Sequence, residues 1–319
     1  MRYNKIYQIV IFILIVLIGN DCSAQYFKKI ILKETLSIGS EESDILYQWS
    51  GVCTDDEGNI YVTDFMDYSI KKFDPKGNFI KKTGSRGHGP GEFTGPTNIQ
   101  YCRNKLYISD LYKLGISVYD KDLNYQRDIY TGNLIMHFRV LDLNRLLIAP
   151  RLLKLPLYLT FVDTNGCEES VIELDSPGRG DYITRGLEFE IDDERNIYIM
   201  YRSEDLILKM KNNGSVLWKT KIFGNIKAEV KEFRGVKTQT EILFKSIQLD
   251  SLGNVFVLGG HESKNKSRDI YVLSNKDGHH VFTLTLPEPT HIIYISSNNY
   301  LYSRAAMGTC LKQYKIIYK

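Results

Sequence analysis

Asp55-Asp56-Glu57-Gly58-Asn59-Ile60-Tyr61-Val62-Thr63-Asp64 is a turn followed by a strand. The acidic, Gly and Asn residues suit a tight turn, and the alternation from Ile60 onward has the period of a strand. Gly58 to Asp64 returns as Asn104-Lys105-Leu106-Tyr107-Ile108-Ser109-Asp110 and then four more times in weaker form. Leu143-Asn144-Arg145 leads a strand at 146–149, Asp192 to Asn196 one at 197–200, Asp250 to Asn254 one at 255–258, and Ser297-Asn298-Asn299 one at 300–303. With Gly58, Asn104, Asn144, Arg195, Gly253 and Asn298 as equivalents, the steps are 46, 40, 51, 58 and 45 residues. Recurrence at this period predicts a β-propeller, an architecture that serves binding and catalysis alike.

Around each repeat the pattern predicts four strands, the unit of a propeller blade. In the first unit these are 49–54, 60–63, 70–73 and 79–83; in the second, 105–109, 116–119 and 125–130 follow the innermost strand. The last unit ends with a strand at 311–317 and stops at Lys319, one strand short, while a spare strand at 27–32 precedes the first complete blade. Pairing these two closes the ring and removes two exposed sheet edges. The expectation is an all-β, six-bladed propeller of four-stranded antiparallel blades over residues 25–319, with the N-terminal strand completing the last blade.

Residues 51 to 120 resemble NHL repeats, in which a Gly-Asn-hydrophobic-Tyr-Val-x-Asp strand joins a strand ending in Phe-Asp and a glycine-rich run ending Gly-x-Phe-x-x-Pro. Here that run is Gly84 to Pro96. The match is specific over two blades and loose over the other four. The whole is similar to exported six-bladed propeller proteins of Bacteroidetes-type bacteria, a resemblance that implies the fold more strongly than any activity.

Ahead of the repeats, Arg2 and Lys5 precede an apolar run from Ile9 to Ile18, then Gly19-Asn20-Asp21 and Cys22-Ser23-Ala24. This reads as a secretory signal peptide, residues 1–24, cut before Gln25; the apolar run is too short to span a bilayer. Asp21 disfavours a lipid anchor at Cys22. The expected destination is the periplasm, cell envelope or exterior. Removing the leader lowers the formal charge from +3 to +2, so electrostatics offers no case for nucleic acid. Cys53, Cys102, Cys167 and Cys310 remain; spacing selects no pairing, and free buried thiols are expected.

Loops joining strand d to the next strand a, and strand b to strand c, emerge on one face of a propeller. Here they include the long segments 84–95, 175–185, 224–240 and 259–268, which marks that face for function. The residue after strand b reads Asp64, Asp110, Pro150, Tyr201, Gly259 and Arg304 around the ring. Asp64 and Asp110 fit a structural role in holding the hairpin, whereas Tyr201 and Arg304 bring groups that stack or bind an anion. The starts of the innermost strands add His137, Arg139, Arg185, Glu188, Lys245 and His291. The ligand-binding set is therefore Asp64, Asp110, His137, Arg139, Arg185, Tyr201, His291 and Arg304, with no catalytic residue, cofactor or metal assigned.

A metal site would need His88, His137, His261 and His291 to converge, since no pair has close zinc-ligand spacing. The glycine-rich run lacks the Gly-Lys-Ser/Thr ending of a phosphate loop, and no Gly-x-Ser-x-Gly nucleophile elbow occurs. The 22 tyrosines lie largely on strands, where packing between blades explains them. The favoured reading is a non-enzymatic module that presents its loop-rich face to a protein, peptide or glycan. The alternative is a metal-dependent lyase or hydrolase at the channel mouth, using some of these histidines with Asp64 or Asp110. A purely structural envelope module is a third class.

Overall fold

A computed structural model describes residues 29–150, 157–174, 182–183, 186–224, 226, 230–239, 242–260, 267–305 and 308–319. Its main body is six four-stranded sheets, each antiparallel throughout. Blade 1 runs Trp49–Thr54, Ile60–Asp64, Ser69–Phe73 and Phe79–Thr83, labelled a to d from the channel outward. In blade 2 strands b to d are Lys105–Asp110, Gly115–Asp120 and Tyr125–Tyr130, behind Pro96–Cys102 as strand a. The innermost strands of blades 3 to 6 are Ile135–Asp142, Leu187–Ile191, Phe244–Leu249 and Ile293–Ile295. The described residues contain no helix long and apolar enough to cross a membrane. The leader and Cys22 lie outside the described residues.

One turn chemistry recurs before many strands, and it explains why the repeat is readable. The Asp55 carboxylate accepts the Glu57 and Asn59 amides, at 3.0 and 2.8 Å, and the Asn59 and Tyr61 side chains, both at 2.8 Å. Asp192 and Asp250 hold the Asn196 and Asn254 amides and side chains in the same way. Asp74 and Asp120 do so for Asn78 and Asn124 in the turns between strands c and d. An Asp that caps its own turn satisfies backbone donors before the strand begins. Blade 5 has Phe256 where blade 1 has Tyr61, and there Tyr318 of blade 6 donates its hydroxyl to Asp250 at 2.6 Å.

The apolar core is divided rather than central. Six clusters of buried side chains occupy the six contacts between neighbouring blades. The contact between blades 6 and 1 contains Ile38, Tyr302 and Leu311 on one side and Trp49, Val52 and Phe73 on the other. Closure follows the expected route: Ile30–Ile38 is the outer strand of blade 6 and pairs antiparallel with Cys310–Tyr318, from Ile30 opposite Tyr318 to Ile38 opposite Leu311. Trp49 Nε1 also donates across the seam to the Cys310 carbonyl at 3.0 Å.

Two loops of the long-loop face join in a small seventh sheet. Tyr182–Ile183, between blades 3 and 4, pairs parallel with Val236–Gln239, between blades 4 and 5, which also forms a hairpin with Val230–Phe233. The four cysteines among the described residues are all free. Cys53 and Cys310 are buried as expected, but Cys167 is exposed in a c–d turn and Cys102 is half-buried at the end of a strand.

Candidate functional site

The innermost strand of each blade has one backbone edge with no further strand to pair with. Side chains from the preceding blade supply the missing partners. Asn98 Nδ2 and Gln100 Nε2 donate to the Met136 and Phe138 carbonyls at 2.9 and 2.8 Å, and the Val140 amide donates back to Gln100 Oε1 at 2.8 Å. His137 meets the Phe189 carbonyl at 2.9 Å, Ser246 donates to Ile293 at 3.1 Å, and Gln248 Oε1 accepts the Ile295 amide at 3.2 Å. Each such bond satisfies a backbone group that the innermost strand would otherwise leave unpaired at the channel wall.

Within this ring lies a cavity of about 500 Å³. It runs from Gly51, His137 and Glu188 to the a–b turns at Asp192, Asp250 and Ser296, the end opposite the long loops. Its charged centre is Arg139, which grips both oxygens of Glu190 in the next blade, the Nε contact being 2.8 Å. Gln248 donates to Glu190 at 2.9 Å, so three successive blades share one carboxylate. Arg202 pairs with Glu188 at 2.9 Å. Burial raises the Glu188 carboxyl above its ordinary range, against the pull of Arg202 and Arg139. Burial pushes the His137 imidazole well below its usual value, with Arg139 adding to the effect, so the ring is neutral. Its carbonyl partner assigns the proton to Nε2 and leaves Nδ1 as an acceptor.

The sequence-predicted residues separate into different environments. His137 and Arg139 line the channel cavity together. Asp64 is fully buried and accepts the Tyr47 and Gln48 amides at 2.8 and 2.9 Å and Lys71 Nζ at 2.8 Å. Asp110 does the same for the Thr94, Gly95 and Tyr112 amides and the Thr94 hydroxyl. These carboxylates tie the incoming loop to the b–c hairpin. Tyr201 is 2 % exposed and packs in the core between blades 3 and 4. In blade 4 the loop-holding acid is Asp205, which accepts the Ile222 and Phe223 amides at 2.8 and 2.9 Å and whose carboxyl is raised by burial. Arg304 is half-buried; desolvation lowers its pKa, partly offset by Asp64 across the seam. His291 is exposed, with Nδ1 at 3.1 Å from Lys245 Nζ. Arg185 and His261 lie outside the described residues. His88 borders a different recess from His137, and no three His, Cys, Asp or Glu side chains among the described residues are grouped to hold a metal ion.

Reading loops by length alone missed a second feature of the long-loop face. Tyr47, Met66, Tyr112, Leu114 and Tyr130 are all exposed at the loop ends of blades 1 and 2. A recess of about 270 Å³ takes in the three from blade 2, bordered by His88, Tyr112, Lys113, Leu114, Asp128 and Tyr130, with Gly115 to Ser117 and Ile129 completing it. Part of the signal was present as Met66, Tyr112 and Leu114 in the b–c loops, where no strand packing accounts for them.

A family profile for six-bladed β-propellers, DUF5128, matches residues 15–213, and the chain belongs to that family. No curated protein matches it. Among solved structures it is similar to a DUF4221 family member from Bacteroides vulgatus, at 10% identity over 91% of this chain and 99% of the other, with a TM-score of 0.62. A Bacteroides fragilis protein designated as exported gives 10% identity over 94% and 98%, with a TM-score of 0.58. Virginiamycin B lyase from Staphylococcus aureus gives 10% over 91% and 90%, with a TM-score of 0.53. At such identities the likeness establishes the propeller fold.

Proposed function

We propose that the chain is an exported, non-enzymatic binding module that engages a protein, peptide or glycan through its loop-rich face, with the first two blades built as NHL-like repeats. The observation that carries this reading is the grouping of exposed Tyr47, Met66, Tyr112, Leu114 and Tyr130 at the loop ends of adjacent blades. Exposed apolar side chains scattered singly need no explanation, whereas five at the loop ends of two adjacent blades, three of them bordering one recess, favour an interaction surface. The scaffold beneath is fixed by Asp64 and Asp110, so partner binding requires little ordering of the loops. Export is supported by the leader pattern of residues 1–24 and by the exported relative of the same fold.

The test is binding of the mature protein to peptide and glycan arrays, alongside a triple variant Tyr47→Ser, Met66→Glu, Tyr112→Ser. The expected result is at least about tenfold weaker binding in the triple variant, and no change in a Leu143→Glu, Leu252→Glu control on the opposite face. Equal binding by wild type and triple variant overturns the reading. So does a stoichiometric metal in the purified protein whose loss follows His137→Ala.

A further inference from the structure

We infer that the recess beside blade 2 is a subsite for one neutral pyranose unit of a glycan, a proposal that rests on the binding-module reading and narrows its ligand. The recess lies where the glycine-rich segment passes over the outer strands of blade 2, with His88 on the loop side and Asp128 and Tyr130 on strand d. At about 270 Å³ it falls just below the ~300–1,000 Å³ of sites for drug-sized ligands. That is room for a single ring rather than a length of peptide.

Its chemistry is amphipathic in the manner of a sugar. Tyr112 and Tyr130 border the recess and are 56% and 66% exposed, so two phenol side chains are accessible for packing against the C–H surface of a sugar. Beside them are hydroxyl-binding groups: the Asp128 carboxylate, an acceptor for sugar O–H groups, and the His88 imidazole. An acyl chain or a peptide's aromatic side chain would add no hydrogen bond to that carboxylate beyond the one from Ser117, and an acidic sugar would meet it as a like charge. A neutral pyranose satisfies both the rings and the acid.

The walls are set in advance. Ser117 Oγ donates to Asp128 at 2.7 Å and holds its rotamer. Lys113 reaches from the b–c loop to the Gly89 and Glu92 carbonyls and lies over the Phe93 ring, which ties the His88 loop to blade 2. Glu92 accepts the Gly89 amide at 2.8 Å, and a Cβ on Gly87 would meet that same carboxylate at 1.9 Å, so a larger residue there would displace the Glu92 side chain. Lys113 is a positioning residue; Tyr112, Tyr130, Asp128 and His88 make the contacts.

The experiment screens wild type against an array of neutral oligosaccharides and titrates the best binder by calorimetry into Tyr130→Ala, Tyr130→Phe and Asp128→Asn. Tyr130→Ala is expected to weaken binding by roughly 5–10-fold, with Tyr130→Phe restoring it because stacking needs the ring alone. Asp128→Asn is expected to weaken it by about tenfold or more, since a charge-assisted bond is lost. Failure of wild type to bind any neutral glycan overturns the subsite, as does binding indifferent to Tyr130→Ala and Asp128→Asn. A peptide or protein bound through Tyr47 and Met66 with no glycan bound would overturn the subsite while leaving the binding-module reading in place.

Discussion

His137 shows how one side chain in the channel serves the fold and constrains its chemistry. Its ring bridges blades 3 and 4 through the Phe189 carbonyl and packs edge-on against the Phe189 ring, at 5.0 Å between centroids. Buried and next to Arg139, it stays neutral well below the ordinary value of 6.5. The unfolded chain therefore takes up a proton below pH 6.5 that the native protein refuses. Stability from the neutral ring is complete above that pH and drains away on acidification, by up to about 1.4 kcal/mol per pH unit. Glu188 has the opposite sign, because its carboxyl is raised: its contribution is present below 4.5 and lost as pH rises through the folded value. Thermal melts of wild type and His137→Gln between pH 5 and 7.5 isolate the first effect. The difference between the two should narrow toward low pH, because glutamine keeps an amide donor without titrating. Parallel melting curves across that range would exclude the assignment.

Among the elements, the innermost strands of blades 1 and 2 approach closely at Gly51. A Cβ there would stand 2.3 Å from the Thr97 carbonyl oxygen and 2.9 Å from Thr63 Oγ1, which itself donates to Thr97 at 2.7 Å. Backbone cannot yield as a long side chain can, so Gly51→Ala should destabilise the protein by about 1–3 kcal/mol, read from a shifted denaturant midpoint at constant m. A midpoint matching wild type would show that the strands separate freely.

This contact illustrates what a single sequence conceals. The strands were legible because their signals are local: Asp55, Asp192 and Asp250 cap turns within four residues of themselves, and the expected 60–63 and 197–200 appear as Ile60–Asp64 and Ile197–Tyr201. The channel network was not, because Arg139 and Glu190 are 51 residues apart and meet only through the curvature of the ring. The break in pattern at Tyr201 was visible, but its destination in an apolar core depends on Leu159 and Phe189 from two blades. The exposure of Cys167 likewise follows from a c–d turn whose Asp163 cap faces solvent.

For the whole molecule, the ring is held by an outer strand borrowed from the far end of the chain. Ile30 and Ile38 are 6% and 3% exposed, and each contributes about 1.5–3 kcal/mol of apolar burial. Without the strand, Cys310–Tyr318 would present a nine-residue edge of unpaired backbone, and the cluster around Trp49 and Leu311 would lose one wall. A chain that begins at residue 39 should therefore melt well below one that begins at residue 25 and elute partly as oligomers, because an open edge templates pairing with other chains. A synthetic peptide spanning residues 29–39 should occupy the vacant edge, raise the melting temperature progressively as its concentration is increased, with the logarithmic dependence of mass action, and return the protein to a monomer. If the truncated protein stayed monomeric with an unchanged melting temperature, the strand would be an accessory, and blade 6 would have to stand on its three remaining strands.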